Sequence, residues 1–313
     1  MILERLIKYT FVVTCSNGYL FGLNATMNAA KFFGTSAEFT IISDDIPEDI
    51  RNIYKDSFPF KVNWVNTEDV IKDLKITSKY APFRFWIQSW ILGSQIIDSY
   101  DSICILQADE FLCTGVNNLF KIAALTDIVI ATEYTSSWVE FEALPFGTKQ
   151  SIWNRSQYAL YDQLVFLNKT HKQILIDTYE QQCIDPWRDE AQQPMCALNQ
   201  ACATHLTREQ VMGLDAHTWA WDSDTCDFKL LFDEHRRKFY NERKTIVSGV
   251  HNRWWQNGVA HSQLDFQRGR GEEGRRQYEI GAHNCNLIRD VMVQFNEMTP
   301  ETKNTNYYQG EIK

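Results

Sequence analysis

Two neighbouring carboxylates follow an apolar stretch in the segment SICILQADEFL, Ser102–Leu112. Desolvating a carboxylate is costly, so Asp109 and Glu110 should meet charges or hydrogen-bond donors there. Alternate side chains of an extended segment point to opposite sides, so Gln107 and Asp109 share one side and Glu110 faces the other. A carboxylate at a strand end suits Mg²⁺ or Mn²⁺ that is also held by diphosphate oxygens and water. The segment predicts a cation site at Asp109, with a helix cap or an ion pair as the simpler alternative.

The elements around this segment alternate between strand-like and helix-like patterns, which is typical of a mostly parallel α/β sheet flanked by helices. In such sheets, ligands bind at the carboxyl ends of the strands, where Asp109 would lie. The predicted strands are Tyr9–Cys15, Phe39–Ser43, Lys61–Val65, Ile103–Leu106, Asp127–Thr132 and Leu164–Asn168. The predicted helices are Tyr19–Phe33, ending at Gly34, Pro47–Ser57, Tyr80–Ile97 and Lys172–Gln182. Beyond residue 185 the pattern loosens, and Arg268–Arg276 is predicted to be a solvated loop of mixed charge.

Composition and charge limit the class of protein. Hydrophobic residues make up 44% of the 313 residues, enough for a large folded core and too many for a disordered chain. The formal charge of -9 argues against nucleic acid as the main partner. No apolar run is long enough for a transmembrane segment or a signal peptide, so we expect a soluble cytoplasmic protein. The cysteines form no C-x-x-C pair, and we expect buried reduced thiols.

The run KYAPFRFWIQSWILGSQIIDSYDSICILQADEF, Lys79–Phe111, carries a family resemblance. An aromatic helix with an arginine, a short turn and an apolar strand ending in x-x-Asp resemble the GT-A glycosyltransferases, especially glycosyltransferase family 8 and the glycogenin-like branch. The resemblance implies a GT-A fold with a Rossmann-like nucleotide-binding half and a C-terminal acceptor-side extension. The family strand ends in Asp-x-Asp, whereas this chain has Gln-Ala-Asp, with Gln107 in the first position. An amide can bind a ribose hydroxyl but contributes no charge to a metal.

The resemblance also implies a donor site. Four residues after the first strand correspond to the positions that hold the nucleobase and ribose, and Arg84 corresponds to an arginine near the donor phosphates. A plain polar turn and an ion pair are the respective alternatives. The four residues are Thr14, Ser16, Asn17 and Tyr19.

Three later segments resemble the sugar and metal side of the family site. In YDQLVFLNK, Asp162 and Gln163 stand where the family has an Asn and a small residue at the sugar. In DEAQQPMCALNQAC, acidic or Gln side chains at a helix start would approach the sugar and acceptor, although acidic residues there also suit the helix dipole. IVSGVHNRWWQNG resembles the strand and loop that supply a metal-binding His, with Arg253 replacing a Lys and Trp255 covering the sugar or base. The implied metal ligands are Asp109 and His251, and the implied catalytic residues are Asp189, Glu190 and Gln163.

The expected function is transfer of a hexose or similar sugar from a nucleotide sugar, with UDP as the favoured nucleotide, retention of configuration and Mn²⁺ or Mg²⁺ as cofactor. The acceptor is a saccharide, a protein or a modified nucleic acid. A non-catalytic nucleotide-binding or protein-interaction protein of the same fold is the alternative, and a nucleotidyltransferase is a weaker one. The expected domain covers residues 1–258, with a donor half over about 1–130 and an acceptor half over 131–258, and residues 259–313 form an extension and polar tail.

Overall fold

A computed structural model describes the chain over residues 7–72, 87–108, 110–135, 158–184, 193–219, 221–222 and 228–251. It also describes the helical residues 271, 272, 276, 279, 280, 283, 284, 287, 288, 290 and 291. At several of these positions, including Gln193 and His251, the backbone alone is described.

A seven-stranded sheet dominates the described ranges, in the order β3-β2-β1-β4-β7-β6-β8. Its strands are β1 Tyr9–Thr14, β2 Glu38–Ile42, β3 Val62–Val65, β4 Ser102–Gln107, β6 Val129–Thr135, β7 Tyr158–Leu167 and β8 Val211–Asp215, with β5, Glu110–Leu112, outside it. Strand β7 runs antiparallel to both of its neighbours, and all other pairings in the sheet are parallel. The predicted mostly parallel sheet is therefore confirmed.

Helices cover both faces of this sheet, as predicted. The helices are α1 Leu20–Phe32, α2 Glu48–Ser57, α3 Thr67–Ile71, α4 Gln88–Ile96, α5 Asn117–Leu125, α6 Lys172–Ile184, α7 Gln193–His205 and α8 Ala216–Trp219. Leu23 of α1 and Phe120 of α5 join the core on one face, whereas Trp90 of α4 and Leu175 of α6 join the core on the other. The strands are apolar on both sides because both of their faces are covered.

Glycine and proline mark the helix limits that the sequence predicted. Gly34 follows α1 with a φ of 71°, a conformation that favours glycine at a helix end. Pro47 immediately precedes α2. The predicted strand at Leu164–Asn168 was too short, because β7 begins six residues earlier at Tyr158. The structure describes the predicted helix Tyr80–Ile97 only from Ile87 onwards.

Two small sheets pack against the core cluster that contains β1 and α1. The first has the order β5-β13-β9, with β9 at Trp221–Asp222 and β13 at Gly249–His251. The second is a meander of β10 Leu230–Asp233, β11 Lys238–Asn241 and β12 Ile246–Val247. These short strands lie where the sequence pattern was loose.

Residues near the C-terminus pack against the same core as the main sheet. Ile280 and Ile288 are buried in the cluster that contains β1 and α1, and Asn284 Oδ1 accepts the Leu230 backbone N–H at 2.7 Å. In the Arg-rich segment, the described residues Gly271, Glu272 and Arg276 are helical and exposed. The predicted exposure is confirmed there and the predicted loop is wrong.

The described cysteines confirm the prediction of buried thiols. The five whose side chains the structure describes are buried and form no disulfide with one another, and they are Cys15, Cys104, Cys113, Cys183 and Cys202. Burial raises the pKa of Cys202 from its ordinary 9.0 to about 12, so this thiol stays protonated at neutral pH. No helix in the described ranges has the length and apolar character needed to span a bilayer.

Candidate functional site

The sheet has a topological switch point between β1 and β4. From β1 the chain moves outwards to β2 and β3, and it then returns to place β4 on the other side of β1. The last ladder pair of the two strands joins Thr14 to Gln107. A crevice opens beyond this pair because the connections leave in opposite directions, which is where ligands bind in open α/β sheets. The structure thus brings the predicted residues after β1 together with Gln107.

The loop after β1 is a short 3₁₀ turn over Asn17–Tyr19 that Ser16 precedes. Asn17 is exposed, and its backbone N–H donates to Asp45 Oδ1 at 2.8 Å. Asp45 follows β2, so this contact ties together the polar loops after two neighbouring strands. Tyr19 is half-buried and packs against the main core.

Arg51 of α2 holds the loop after β2 in place through hydrogen bonds to its backbone. Its side chain is 9% exposed and donates to the carbonyl oxygens of Ser43 at 2.7 Å and Ile46 at 2.8 Å. A third bond reaches Asn66 Oδ1 at 3.0 Å. Because buried carbonyl groups need donors, one guanidinium stabilises the whole turn. Sequence reasoning missed Arg51; the available signal was its spacing from Tyr54, since these two residues are the buried ones of α2.

The Gln-Ala-Asp motif lies at the end of β4, and α1 holds both sides of it. Thr26 is fully buried, and its hydroxyl donates to the Glu110 carbonyl at 2.6 Å with a longer contact of 3.3 Å to the Ala108 carbonyl. Asp109 itself lies outside the described residues. The backbone on either side of the predicted metal ligand is therefore attached to a core helix.

Glu110, which the sequence predicts to face away from Gln107, is buried on β5. Its exposure is 0%, whereas Gln107 is partly exposed at the crevice. Burial is the main cause, and the charge of Glu110 a further one, that raises the pKa of Cys113 well above its ordinary range. Glu110 therefore belongs to the interior that supports the site.

Strand β13 brings His251 to this motif. In the backbone register, His251 lies opposite Glu110 of β5 on one side and Asp222 of β9 on the other. Glu110, which lies opposite His251 in this register, directly follows the predicted metal ligand Asp109 in the sequence. The side chain of His251 is outside the description.

The donor set of one carboxylate and one imidazole, completed by phosphate and water oxygens, suits Mn²⁺ and is acceptable to Mg²⁺. The pairing of β5 with β13 agrees with that fit, because it places the backbone of His251 opposite Glu110, the residue that follows Asp109 in the sequence. Among the side chains that the structure describes, no three of His, Cys, Asp or Glu group closely enough to hold a metal ion. The side chains of Asp109 and His251 are not among them.

The beginning of β7 meets the same crevice, because this strand runs antiparallel to β4. Asp162 and Gln163 are buried there, with exposures of 8% and 3%. Gln107 donates from Nε2 to Asp162 Oδ2 at 3.0 Å. No pattern in the sequence predicts that these two side chains meet.

Helix α7 holds the beginning of β7 in place. Asn199 is 4% exposed, and its side chain accepts the Leu160 N–H at 2.9 Å and donates to the Leu160 carbonyl at 2.8 Å. Gln193 is the first residue of α7, and its backbone alone is described. Asn199 is thus a positioning residue, and its role was not predicted from the sequence.

Several predicted site residues lie outside the described ranges, so their predictions remain predictions. They are Arg84, Asp109, Asp189, Glu190, Arg253 and Trp255.

No protein-family model matches this chain, and no curated protein sequence matches it. Similar solved structures include the galactosyltransferase LgtC in complex with donor and acceptor sugar analogues, at 13% identity and a TM-score of 0.46, covering 87% of this chain and 95% of that chain. The bifunctional glycosyltransferase WbbM in its apo form is similar at 11% identity and a TM-score of 0.49, covering 89% of this chain and 52% of that chain.

The glycosyltransferase GlyE of Streptococcus pneumoniae TIGR4 is similar at 12% identity and a TM-score of 0.48, covering 94% of this chain and 65% of that chain. This chain therefore spans about half of WbbM and just under two thirds of GlyE. These similarities do not bear on the activity of this chain.

Proposed function

We propose that this protein is a metal-dependent glycosyltransferase that moves a hexose from a nucleoside diphosphate sugar, with UDP as the nucleotide, to an acceptor with retention of configuration. The observation that supports the proposal most is the switch-point crevice, where Thr14 and Gln107 lie side by side and β13 brings His251 opposite Glu110. The resemblance of Lys79–Phe111 to the GT-A family adds the donor and the metal to this geometry.

In the proposed complex, the loop after β1 holds the nucleoside. Ser16 and Asn17 present hydroxyl, amide and backbone groups at the strand end, and the contact of Asn17 with Asp45 fixes the loop before a ligand arrives. A loop that is already ordered loses less conformational entropy on binding. Arg84 and Arg253 would pair with the diphosphate oxygens, because guanidinium groups match phosphate geometry.

Asp109 and His251 would hold the cation at the diphosphate. When bound, the cation supplies positive charge that stabilises the departing nucleoside diphosphate. Asp189, Glu190 and Gln163 would face the sugar and the acceptor, where a carboxylate can stabilise positive charge that develops on the sugar. Gln163 is buried on β7, at the same edge of the sheet as Gln107.

The direct test is hydrolysis of UDP-glucose and UDP-galactose with Mn²⁺ in the absence of acceptor. We expect the wild type to release UDP and Asp109→Asn to lose at least about a hundredfold in rate, since this substitution removes the charged ligand and keeps its shape. Asp56→Asn is the matched control, because Asp56 is an exposed carboxylate on α2 outside the crevice. Equal rates in wild type and Asp109→Asn would contradict the proposal.

A non-catalytic nucleotide-binding protein is the second candidate, and Gln107 favours it. This residue is uncharged and already donates to Asp162 within the protein. Titration calorimetry with UDP distinguishes the two candidates. Tight binding that does not depend on Mn²⁺, without release of UDP from any donor, would support the second candidate over the first.

A further inference from the structure

The loop after β2 presents a carboxylate beside the loop after β1. Asp45 is exposed, and its Oδ1 accepts the Asn17 backbone N–H at 2.8 Å. The two loops lie together because β1 and β2 are parallel neighbours, with Thr14 opposite Ile42 at the end of their ladder. The loop that we propose for the nucleoside is therefore in direct contact with an acidic side chain that follows the neighbouring strand.

The protein holds the Asp45 carboxylate through one of its two oxygens. Besides the Asn17 N–H, Oδ1 accepts the Ser43 hydroxyl at 3.3 Å. In the part of the chain that the structure describes, both hydrogen bonds to this side chain end on Oδ1. An ionised carboxylate has about four acceptor sites on its two oxygens. Oδ2 can therefore accept hydrogen bonds from a ligand while Oδ1 keeps its bonds within the protein.

The backbone on both sides of Asp45 is fixed before any ligand arrives. Ser43 and Ile46 flank the pair Asp44 and Asp45, and the buried Arg51 side chain donates to the carbonyl oxygens of both flanking residues. Asp44 bonds to a different loop, because its Oδ1 accepts the Thr67 N–H at the start of α3 at 2.7 Å. Of the two neighbouring carboxylates, only Asp45 thus bonds to the loop after β1.

The strand order relates this position to nucleoside binding. The order β3-β2-β1-β4 is that of the first half of a Rossmann sheet. In dinucleotide-binding sheets of that kind, an acidic residue about 20 residues beyond the turn after the first strand accepts a hydrogen bond from a ribose 2′-hydroxyl. Asp45 lies 28 residues beyond Asn17, with one helix and one strand between them, and it bonds to that turn. Its place in the sheet is therefore that of a ribose acceptor.

We propose that Asp45 makes the nucleotide site specific for ribonucleotides, by accepting a hydrogen bond from the ribose 2′-hydroxyl on Oδ2 while Oδ1 keeps its bond to Asn17. A hydrogen bond to a charged acceptor is stronger than one between neutral groups, so a ligand without the 2′-hydroxyl binds more weakly. This inference rests on the proposed function and extends it to a residue that the sequence analysis did not select.

Calorimetric titration of the full chain with UDP and with 2′-deoxy-UDP, at one fixed Mn²⁺ concentration, tests the inference. We expect the wild type to bind UDP about tenfold more tightly than 2′-deoxy-UDP. Asp45→Asn keeps an oxygen that accepts the Asn17 N–H and removes the charged second oxygen. We expect it to reduce the affinity ratio to about threefold or less. Effects of the lost charge on the diphosphate are common to both ligands and cancel in this ratio.

The matched control is Asp44→Asn. Asp44 is an exposed carboxylate in the same loop, its substitution removes the same charge, and the new amide oxygen can accept the Thr67 N–H as before. The control should keep the affinity ratio of the wild type. The unfolding midpoint of each variant shows whether it is folded. If Asp45→Asn does not fold, Asp45→Ser takes its place with the same expected ratio.

The outcomes separate the inference from the proposed function. A wild type that binds no UDP contradicts both. A wild type that binds UDP and 2′-deoxy-UDP equally well overturns the inference and leaves the proposed function standing. An affinity ratio that Asp45→Asn does not change overturns it as well, because another group then recognises the 2′-hydroxyl. An equal reduction of the ratio in Asp44→Asn also overturns it, since the effect then does not belong to Asp45.

Discussion

A Cβ atom built at Gly249 would lie 2.0 Å from the Trp219 carbonyl oxygen and 2.7 Å from Glu110 Oε1. The first of these neighbours is backbone and cannot move without moving α8. A glycine is therefore needed two residues before His251, where β13 lies between a helix end and a buried carboxylate.

We expect Gly249→Ala to lower the free energy of unfolding by about 2–4 kcal/mol, because the strand must shift to admit the methyl group. Gly93→Ala is the control, since the nearest atoms there are side-chain ends of Ile103, Ile105 and Leu175 at 3.0–3.4 Å. Such atoms can yield, and alanine is a better helix former than glycine, so the control should change stability by about 1 kcal/mol or less. Urea unfolding measures both, and equal losses would contradict this reading of Gly249.

The role of a single residue could be predicted where its chemical type is unusual for its place in the sequence. Asp109 and Glu110 after an apolar strand, and Gln107 in a position where a carboxylate was expected, could be recognised in the sequence. The partner of Gln107 could not, because Asp162 belongs to a strand that is distant in sequence and its approach depends on a bulge. The role of Arg51 was missed for the same reason, because its carbonyl acceptors come close to it only when β2 and α2 have folded together.

At the scale of elements, the junction between β7 and α6 depends on a neutral histidine. Asn168 and His171 form a capping box, in which His171 Nδ1 accepts the Asn168 N–H at 3.2 Å. His171 is 2% exposed, and burial lowers its pKa below the ordinary 6.5, with Asp127 opposing that shift in part. The unfolded chain therefore binds a proton here more readily than the folded chain does.

This junction should lose stability in acid. Because the folded pKa is lowered, the contribution of His171 is complete above the ordinary pKa of 6.5 and decreases as pH falls through and below it. The decrease amounts to at most about 1.4 kcal/mol per pH unit. His171→Gln keeps an acceptor for the cap, as Gln210 does for the Thr207 N–H at 3.0 Å, and does not titrate. Urea unfolding between about pH 7.5 and pH 5 should give a flatter profile in the variant, and parallel profiles would contradict the prediction.

Helices and strands could be predicted where a glycine or proline marked the end of an element and the apolar pattern agreed with it. Gly34 and Pro47 marked helix limits correctly, and the apolar runs of β1, β2 and β4 identified the centre of the sheet. The early start of β7 was missed because its first half contains tyrosine, aspartate and glutamine at irregular spacing, which is the pattern of a bulge and not of a regular strand. The short strands β9 to β13 have too few residues to show a period of two.

At the scale of the whole molecule, the buried thiols limit stability in alkaline solution. Burial raises the pKa of Cys202 to about 12, and burial is also the main cause that raises the pKa of Cys104 well above its ordinary value. These thiols bind their protons more tightly in the folded state than in the unfolded state. Their contribution to the free energy of unfolding is therefore complete below pH 9.0 and decreases as pH rises above that value.

We expect Cys202→Ala to reduce that loss. The difference in unfolding free energy between wild type and variant should change in favour of the variant by about 1.4 kcal/mol per pH unit above pH 9. Urea unfolding at about pH 8 and about pH 10.5 measures it, and at the lower pH the variant should be slightly less stable because it lacks the buried sulfur. A difference that stays constant with pH would contradict the prediction.

The pairing of β5 with β13 also determines when, during synthesis of the chain, the proposed cation site can form. Glu110 lies in the first half of the chain, and the strand that carries His251 is made only after more than a hundred further residues. Contacts between such distant segments carry a high loop-closure entropy and form late in folding. A nascent chain can therefore build the β1–β4 centre early and still lack the proposed cation site until the residues of β13 have emerged from the ribosome.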